Sequence, residues 1–232
     1  MDIKACIFDL DGVVVDTAKY HFIAWQKIAN EFGIDFTEKN NEQLKGVSRM
    51  CSLELLLSLG GITLHDNEKE QLADKKNKIY REYILKLTPD EILPGVLAFI
   101  EELRSKGIKT AIGSASKNTM TILNQLQITH LFDAIMDGVK VTKAKPDPEI
   151  FIKCAEELNI PPVNCIVFED AEAGTEAALA AGMKCVGIGS QETLWRANIV
   201  IDGFKDFTLD ELKKKINCAL FFSFDKLNHD SK

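Results

Sequence analysis

Short apolar runs recur along this chain, and stretches with helical spacing separate them. Ala5-Cys6-Ile7-Phe8 is apolar throughout and gives way to Asp9-Leu10-Asp11-Gly12. It therefore reads as a buried strand with a sharp turn after it. Lys109 to Gly113, Cys165 to Phe168 and Lys184 to Ile188 repeat the strand pattern. Phe22, Trp25, Ile28, Ala29 and Phe32 instead recur at helical spacing, in a helix capped by Asp16 or Thr17 and stopped at Gly33. From there to about Thr88 the chain stays helical, charged and short of β-branched runs, with clear helices at Leu53 to Leu59 and Lys69 to Leu87. Pro89 and Pro94 mark the return to strand–helix alternation. Helices then span Gly95 to Lys106, Asn118 to Leu126, Pro148 to Leu158 and Ala171 to Ala181, with Gly107 and Gly182 as stops and Pro148 in a first turn.

Such alternation predicts an α/β fold: a Rossmann-like parallel sheet with helices on both faces, plus an inserted α-helical segment. The expected division is a core of residues 1–15 and 90–232 around an insert of residues 16–89. Composition agrees, since 232 residues at 46% hydrophobic can bury one large core with an insert. A net charge of -7 disfavours nucleic acid or an anionic membrane as the main partner, yet permits a locally positive pocket. Asp9 and Asp11 interrupt the first apolar stretch, which excludes it as a signal segment or membrane span. None of the six cysteines forms a Cys-x-x-Cys pair, and Cys6, Cys165 and Cys185 lie in strand-like runs as buried thiols. The reading is a reducing cytoplasm with neither disulfides nor zinc. The aromatic stretch Leu220 to Phe224 ends a final helix packed on the core, or else makes a dimer contact; a monomer is expected, and residues 225–232 should fray.

The chemistry gathers at strand ends. Two carboxylates at the exit of a buried strand are costly to desolvate, and a cation or a reacting group is what usually offsets that cost. Asp9 suits a carboxylate nucleophile and Asp11 an acid/base; the plainer reading is a solvated turn. Further groups follow in order. Thr110 to Gly113 runs into Ser114 to Asn118, Lys145 precedes Pro146, and Cys165 to Phe168 ends in Glu169-Asp170. All fall where parallel sheets bind ligands, at the carboxyl ends of strands. This ordered set resembles the haloacid dehalogenase superfamily of phosphotransferases. Asp16-Thr17 with His21 and Trp25, then Asn41 to Arg49, then Ser114 to Asn118 are similar to that superfamily's sugar phosphomutases. The similarity runs from about residue 5 to about residue 190.

The resemblance implies roles. Asp9 is the nucleophile and a magnesium ligand, and Asp11 is the general acid/base with its backbone carbonyl on the metal. Asp170 is a further ligand of one Mg²⁺ per chain, and Glu169 coordinates it directly or through water or else is a solvated loop acid. Ser114 donates to the transferring phosphoryl group, with a helix N-cap as its alternative. Lys145 pairs Asp9 and the phosphoryl oxygens. Arg49 anchors the distal phosphate, Gly46 admits backbone N–H groups to the substrate, and Lys45, Val47, Ser52 and Ala115 line the same site. Ser116, Lys117 and Asn118 take the distal phosphate and sugar hydroxyls, although Lys117 also reads as a solvated helix start. Thr17, His21, Trp25 and Lys76 belong to the inserted helices, which form a cap that excludes water. His21 meets Asp11 or is a surface histidine; Lys76 matches the family or is solvated with Lys75 and Lys78. His65, His130 and His229 take no role, and Gly187-x-Gly189 is not a dinucleotide site. Ala144 departs from the family's Ser before the lysine, and Met50-Cys51 from its charged pair. The implied activity interconverts β-glucose 1-phosphate and glucose 6-phosphate through an aspartyl-phosphate and β-glucose 1,6-bisphosphate. A sugar-phosphate phosphatase and a non-enzymatic sugar-phosphate binder are the alternatives.

Overall fold

The structure, a computed structural model, describes residues 2–218. Six parallel strands form one sheet in the order β3-β2-β1-β4-β5-β6. They are β1 Ala5–Phe8, β2 Lys109–Gly113, β3 Ala134–Met136, β4 Cys165–Glu169, β5 Lys184–Ile188 and β6 Ile199–Ile201. β1 lies at the centre between β2 and β4, with Phe8 level with Ile112 on one side and Phe168 on the other. That register brings the residues after β1, β2 and β4 to one edge. Asp9, Ser114 and Glu169-Asp170 are therefore neighbours, although far apart in sequence.

Side-chain alternation along the strands separates two apolar layers. Phe8, Leu10, Phe99 and Phe168 belong to one, and Ala5, Ile7, Phe151 and Val167 to the other. Between β1 and β2 lie α1 Ala18–Glu31, α2 Glu38–Glu42, α3 Arg49–Leu59, α4 Asp66–Ile84 and α5 Val96–Ser105. Trp25, Ile28, Leu53, Leu56 and Ala73 give α1, α3 and α4 an apolar cluster of their own. α6 Thr119–Gln125, α7 Glu149–Leu158 and α8 Glu172–Ala180 complete the numbered helices, and residues 209–218 are also helical.

Several expectations needed correction. β3 and β6 were not anticipated: each has three residues at a sheet margin, too few to show a period. α3 starts at Arg49 because the Ser48 hydroxyl accepts from the Cys51 N–H at 3.2 Å. α4 starts at Asp66 because Glu68 reaches back to the His65 N–H at 2.9 Å, half of a capping box. Thr17 stands at the N-cap of α1, but its side chain makes no cap. Its hydroxyl donates to Asp11 instead, and Asp16 pairs with Lys19 at 3.4 Å. Ser114 does not cap a helix either, since Asn118 holds that place before α6. Cys6, Cys154, Cys165 and Cys185 are buried free thiols, and all six cysteines are free. Among the described residues no helix is long and apolar enough to cross a membrane. The Leu220 to Phe224 stretch, the fraying expected beyond it and His229 lie outside the described residues.

The strand-end site stands on an aromatic layer. Phe8 and Phe168 stack with ring centroids 4.9 Å apart. Phe99 packs edge-on to both, and lies 5.4 Å from Phe204 and 5.3 Å from Phe207. Phe99→Ala should cost about 3–5 kcal/mol by leaving a cavity at this junction. Calorimetry should show the thermal midpoint falling by roughly 10 °C. A fall of less than about 3 °C would show that the layer does not carry the core.

Candidate active site

Asp9 leaves β1 with its N–H donating to the Phe168 carbonyl at 2.9 Å, so the backbone ladder continues under the first acidic residue. Its buried carboxylate accepts from Lys145 Nζ at 2.7 Å. The same ammonium donates to Glu169 Oε1 and lies 4.9 Å over the Phe151 ring. Burial alone would lower the Lys145 pKa; the charges of Asp9 and Glu169 overcome it and hold the group well above its ordinary value. Burial pushes the Glu169 carboxyl up, with the charges of Asp9 and Asp170 acting the same way and Lys145 opposing them. Asp170 is raised for the same reason, opposed chiefly by Lys45. Asp9, Glu169 and Asp170 each offer an oxygen within 4.8 Å of the others. A hard divalent cation with oxygen ligands suits that donor set.

Two glycines make this packing possible. A Cβ on Gly174 would lie 2.0 Å from the Glu169 carboxyl, so only glycine lets that side chain fold against α8. There Glu169 Oε2 accepts from the Ala171 N–H at 3.2 Å. Gly46 has φ +72, and a Cβ would come within 2.7 Å of Ala171 Cβ. Gly46 therefore sets a close approach between the helical insert and the Asp170 loop, where the sequence suggested access for substrate to backbone N–H groups. Lys45 reinforces the approach, with Nζ 3.4 Å from Asp170 Oδ2 and 2.9 Å from Glu42. The lysine loop does not depend on a Ser at position 144. Glu149 supports it by accepting from the Thr142 N–H at 3.0 Å and the Lys143 N–H at 2.7 Å.

Asp11 faces the insert. Its Oδ1 accepts from the hydroxyls of Thr17 and, at 3.4 Å, Tyr80. His21 Nε2 lies 3.9 Å from the same oxygen. Burial, then the Asp9 charge, raises the Asp11 carboxyl to about 6 against the pull of those donors. Burial and the Lys76 charge keep His21 well below its usual range, so the ring is neutral. Its Nδ1 accepts from Lys76 Nζ at 2.9 Å. Lys76 is only 2% exposed and lies over the Trp25 and Tyr80 rings at 4.6 and 4.8 Å, so the solvated reading is excluded. Burial and the Arg49 charge lower it to about 7. Sequence reasoning passed over Tyr80. The available signal was its position four residues after Lys76, on the same face of α4.

These groups open on one cavity of about 670 Å³. Asp9, Asp11, Ser114 and Asp170 come from the strand ends; Arg49, Lys76 and Trp25 come from the insert, with Lys117 and Ser116 from the loop after β2. His21, Lys45, Gly46, Val47, Ser52, Ala115 and Asn118 also line it. Of the residues expected at the site, Thr17, Lys145 and Glu169 do not reach the cavity wall and act on residues that do. Arg49 Nη1 stands 3.9 Å from Asp74 Oδ1, a long contact that leaves the guanidinium with most of its donors available. Ser52 is largely taken up locally, its hydroxyl donating to the Leu44 carbonyl at 3.4 Å. Ser114 Oγ accepts from the Ser116 N–H, and Ser116 Oγ from the Asn118 N–H, each at 3.1 Å.

Comparison with known proteins agrees with this arrangement. A model of haloacid dehalogenase-like hydrolases matches residues 3–182. The chain is 44% identical over 214 residues to a β-phosphoglucomutase of Bacillus subtilis, covering 91% of this chain and 95% of the relative. It is 33% identical over 186 residues to a phosphorylated carbohydrates phosphatase of Thermotoga maritima, covering 78% of this chain and 82% of that one. A crystal structure of β-phosphoglucomutase from Clostridium difficile superposes with a TM-score of 0.89 at 43% identity, covering 94% of this chain and 99% of the other. With its motifs on adjacent strand ends and the family match spanning both the sheet and the helical insert, the chain belongs to the haloacid dehalogenase-like hydrolase family.

Proposed function

We propose that the chain is a phosphomutase that interconverts β-glucose 1-phosphate and glucose 6-phosphate. One observation carries the reading: a buried Asp9–Lys145 pair and the basic side chains Arg49, Lys76 and Lys117 serve a single cavity. A phosphomutase needs both, because its intermediate has one phosphate reacting and one held elsewhere. The likeness to two β-phosphoglucomutases supports it. The Thermotoga phosphatase supports a second reading, hydrolysis of sugar phosphates on the same site.

In this reading Asp9 attacks phosphorus and carries the phosphoryl group as an acyl phosphate. Lys145, paired with Asp9 at 2.7 Å, stands behind the nucleophile and holds its carboxylate in place, and Ser114 contacts the transferring group from the cavity wall. Asp11 moves the proton: it takes it from the attacking sugar hydroxyl and returns it to the leaving one. Its carboxyl, raised to about 6, is poised for both directions near neutrality. Thr17, Tyr80 and neutral His21 orient it. Arg49, with Ser116, Lys117 and Asn118, holds whichever phosphate is not reacting. Asp9, Glu169, Asp170 and the Asp11 carbonyl are the residues that would hold Mg²⁺. When bound, the ion supplies charge neutralisation between the nucleophile and the phosphoryl oxygens. Residues 16–89 act as the cap, with residues 1–15 and 90–232 as the core, and seating of the cap keeps water from the acyl phosphate.

Turnover of β-glucose 1-phosphate, with and without a bisphosphate primer and with free phosphate measured alongside, tests the reading. Primed conversion to glucose 6-phosphate with little free phosphate is expected; release of phosphate in step with substrate loss would establish the phosphatase instead. Asp9→Asn should abolish turnover with the fold intact, because the amide keeps the shape and loses the attacking charge. Substantial mutase activity in that folded variant would reject the covalent route. Asp11→Asn should slow turnover by about 10²–10⁴-fold, the usual contribution of a positioned acid/base, with Mg²⁺ affinity measured by titration nearly unchanged. Arg49→Ala should remove a charged phosphate contact worth about 1.5–3 kcal/mol. Mutase turnover should collapse while hydrolysis of a small acyl phosphate persists; equal losses in the two assays would move Arg49 away from the distal phosphate.

A further inference from the structure

Asn118 connects the two halves of the cavity in a way the reaction does not by itself require. It stands at the N-cap of α6, yet its side chain makes no cap there. α4 takes up both ends of its carboxamide. Arg81 Nη1 donates to Oδ1 at 3.2 Å, and Nδ2 donates to Asn77 Oδ1 at 3.0 Å. Arginine only donates, so the amide has one orientation, with its oxygen toward Arg81. Asn118 is 5% exposed, which makes an unanswered amide oxygen costly. Its backbone N–H then reaches Ser116 Oγ, and the Ser116 N–H reaches Ser114 Oγ. Hydrogen bonds at Asn118, Ser116 and Ser114 therefore link α4, residue by residue, to the loop that follows β2.

Arg81 forms no ion pair among the described residues and does not line the cavity. Nothing places it in contact with substrate. Its guanidinium is instead spent on Asn118, across the junction between the helical insert and the sheet. We propose that Arg81 is a positioning residue whose hydrogen bond to Asn118 makes the order of the 114–118 loop conditional on α4 being seated on the core. The proposal rests on the reading that this loop holds phosphate in a mutase. It adds a device to that reading. When α4 lifts away, the loop loses its brace, and phosphate is no longer held for transfer while water has access. When α4 seats, Arg81 completes the loop. The charged donor makes this contact stronger than a neutral amide pair would be.

Arg81→Met tests it, since methionine retains a long apolar stem and lacks the donor; Arg81→Lys restores a charged donor. Amide hydrogen exchange at Ser116 and Asn118 reports the loop directly. In Arg81→Met both amides should exchange about tenfold faster, the scale of one lost charge-assisted hydrogen bond, with the lysine variant falling between it and the parent. Free phosphate released per glucose 6-phosphate formed should rise in the same order, while the thermal midpoint falls by only the few degrees that one unanswered amide oxygen accounts for. Parent-like exchange in Arg81→Met overturns the proposal. Faster exchange with an unchanged ratio of products also overturns it, by leaving Arg81 a brace without a part in the reaction. Faster exchange accompanied by a midpoint lowered by more than about 10 °C and no rescue by lysine assigns Arg81 to general stability and overturns it as well. A parent that yields only free phosphate refutes the mutase reading instead, and amide exchange then decides the Arg81 clasp alone.

Discussion

The site depends on one buried ammonium. Lys145 has no side-chain exposure and lies against Asp9 and Glu169, with Asp170 close by. Three carboxylates cannot stay ionised together in so little water without cations among them. Lys145 supplies one charge from within the chain. The excess negative charge that remains is what a divalent ion would neutralise; burial first, and the neighbouring carboxylates second, raise Glu169 and Asp170. Buried ion pairs of this kind seldom add net stability, because desolvation consumes the attraction. Their retention here fits function better than folding. The aromatic layer below, with Phe8 stacked on Phe168, supplies the stability and fixes the strand ends on which the charges stand.

Above that floor, the helical insert contributes opposite charge at graded depth. Lys76 is buried on Trp25 and Tyr80, Arg49 is half-buried with a long contact to Asp74, and Lys45 reaches down to Asp170. Of these, Arg49 has only one long ionic contact among the described residues, so a phosphate entering in the proposed reaction gains charge-assisted hydrogen bonds there without breaking a strong one. The neutral His21 ring, accepting from Lys76 and close to Asp11, ties this basic wall to the proposed acid/base, so that in the proposed reaction substrate binding and proton transfer share one set of side chains.

Much of this was legible in the sequence. Four apolar runs gave the inner strands, three of them ending in chemistry-bearing residues, and parallel topology placed those three ends together. What stayed hidden had physical reasons. β3 and β6 are too short to show a period. Tyr80 and Arg81 sit in a charged helix whose buried face appears only once it packs on the core. Gly174 looks like an ordinary helix residue until the Glu169 side chain is seen in the space that its missing Cβ leaves. Thr17 resembles a cap because threonine at that position commonly is one; its hydroxyl is drawn away by a stronger acceptor, the Asp11 carboxylate. Sequence pattern reports on local preference, and each of these residues is set by a contact with a distant segment.

Asp9 is the group proposed to carry phosphate, with Lys145 and the neighbouring carboxylates arranged around it. The most direct measurement is to quench the enzyme during turnover of β-glucose 1-phosphate bearing labelled phosphate, and to map the label by peptide mass spectrometry. The account predicts an acid-stable, hydroxylamine-labile label on Asp9. Label on Ser114, or full turnover with no labelled peptide at any quench time, would contradict it.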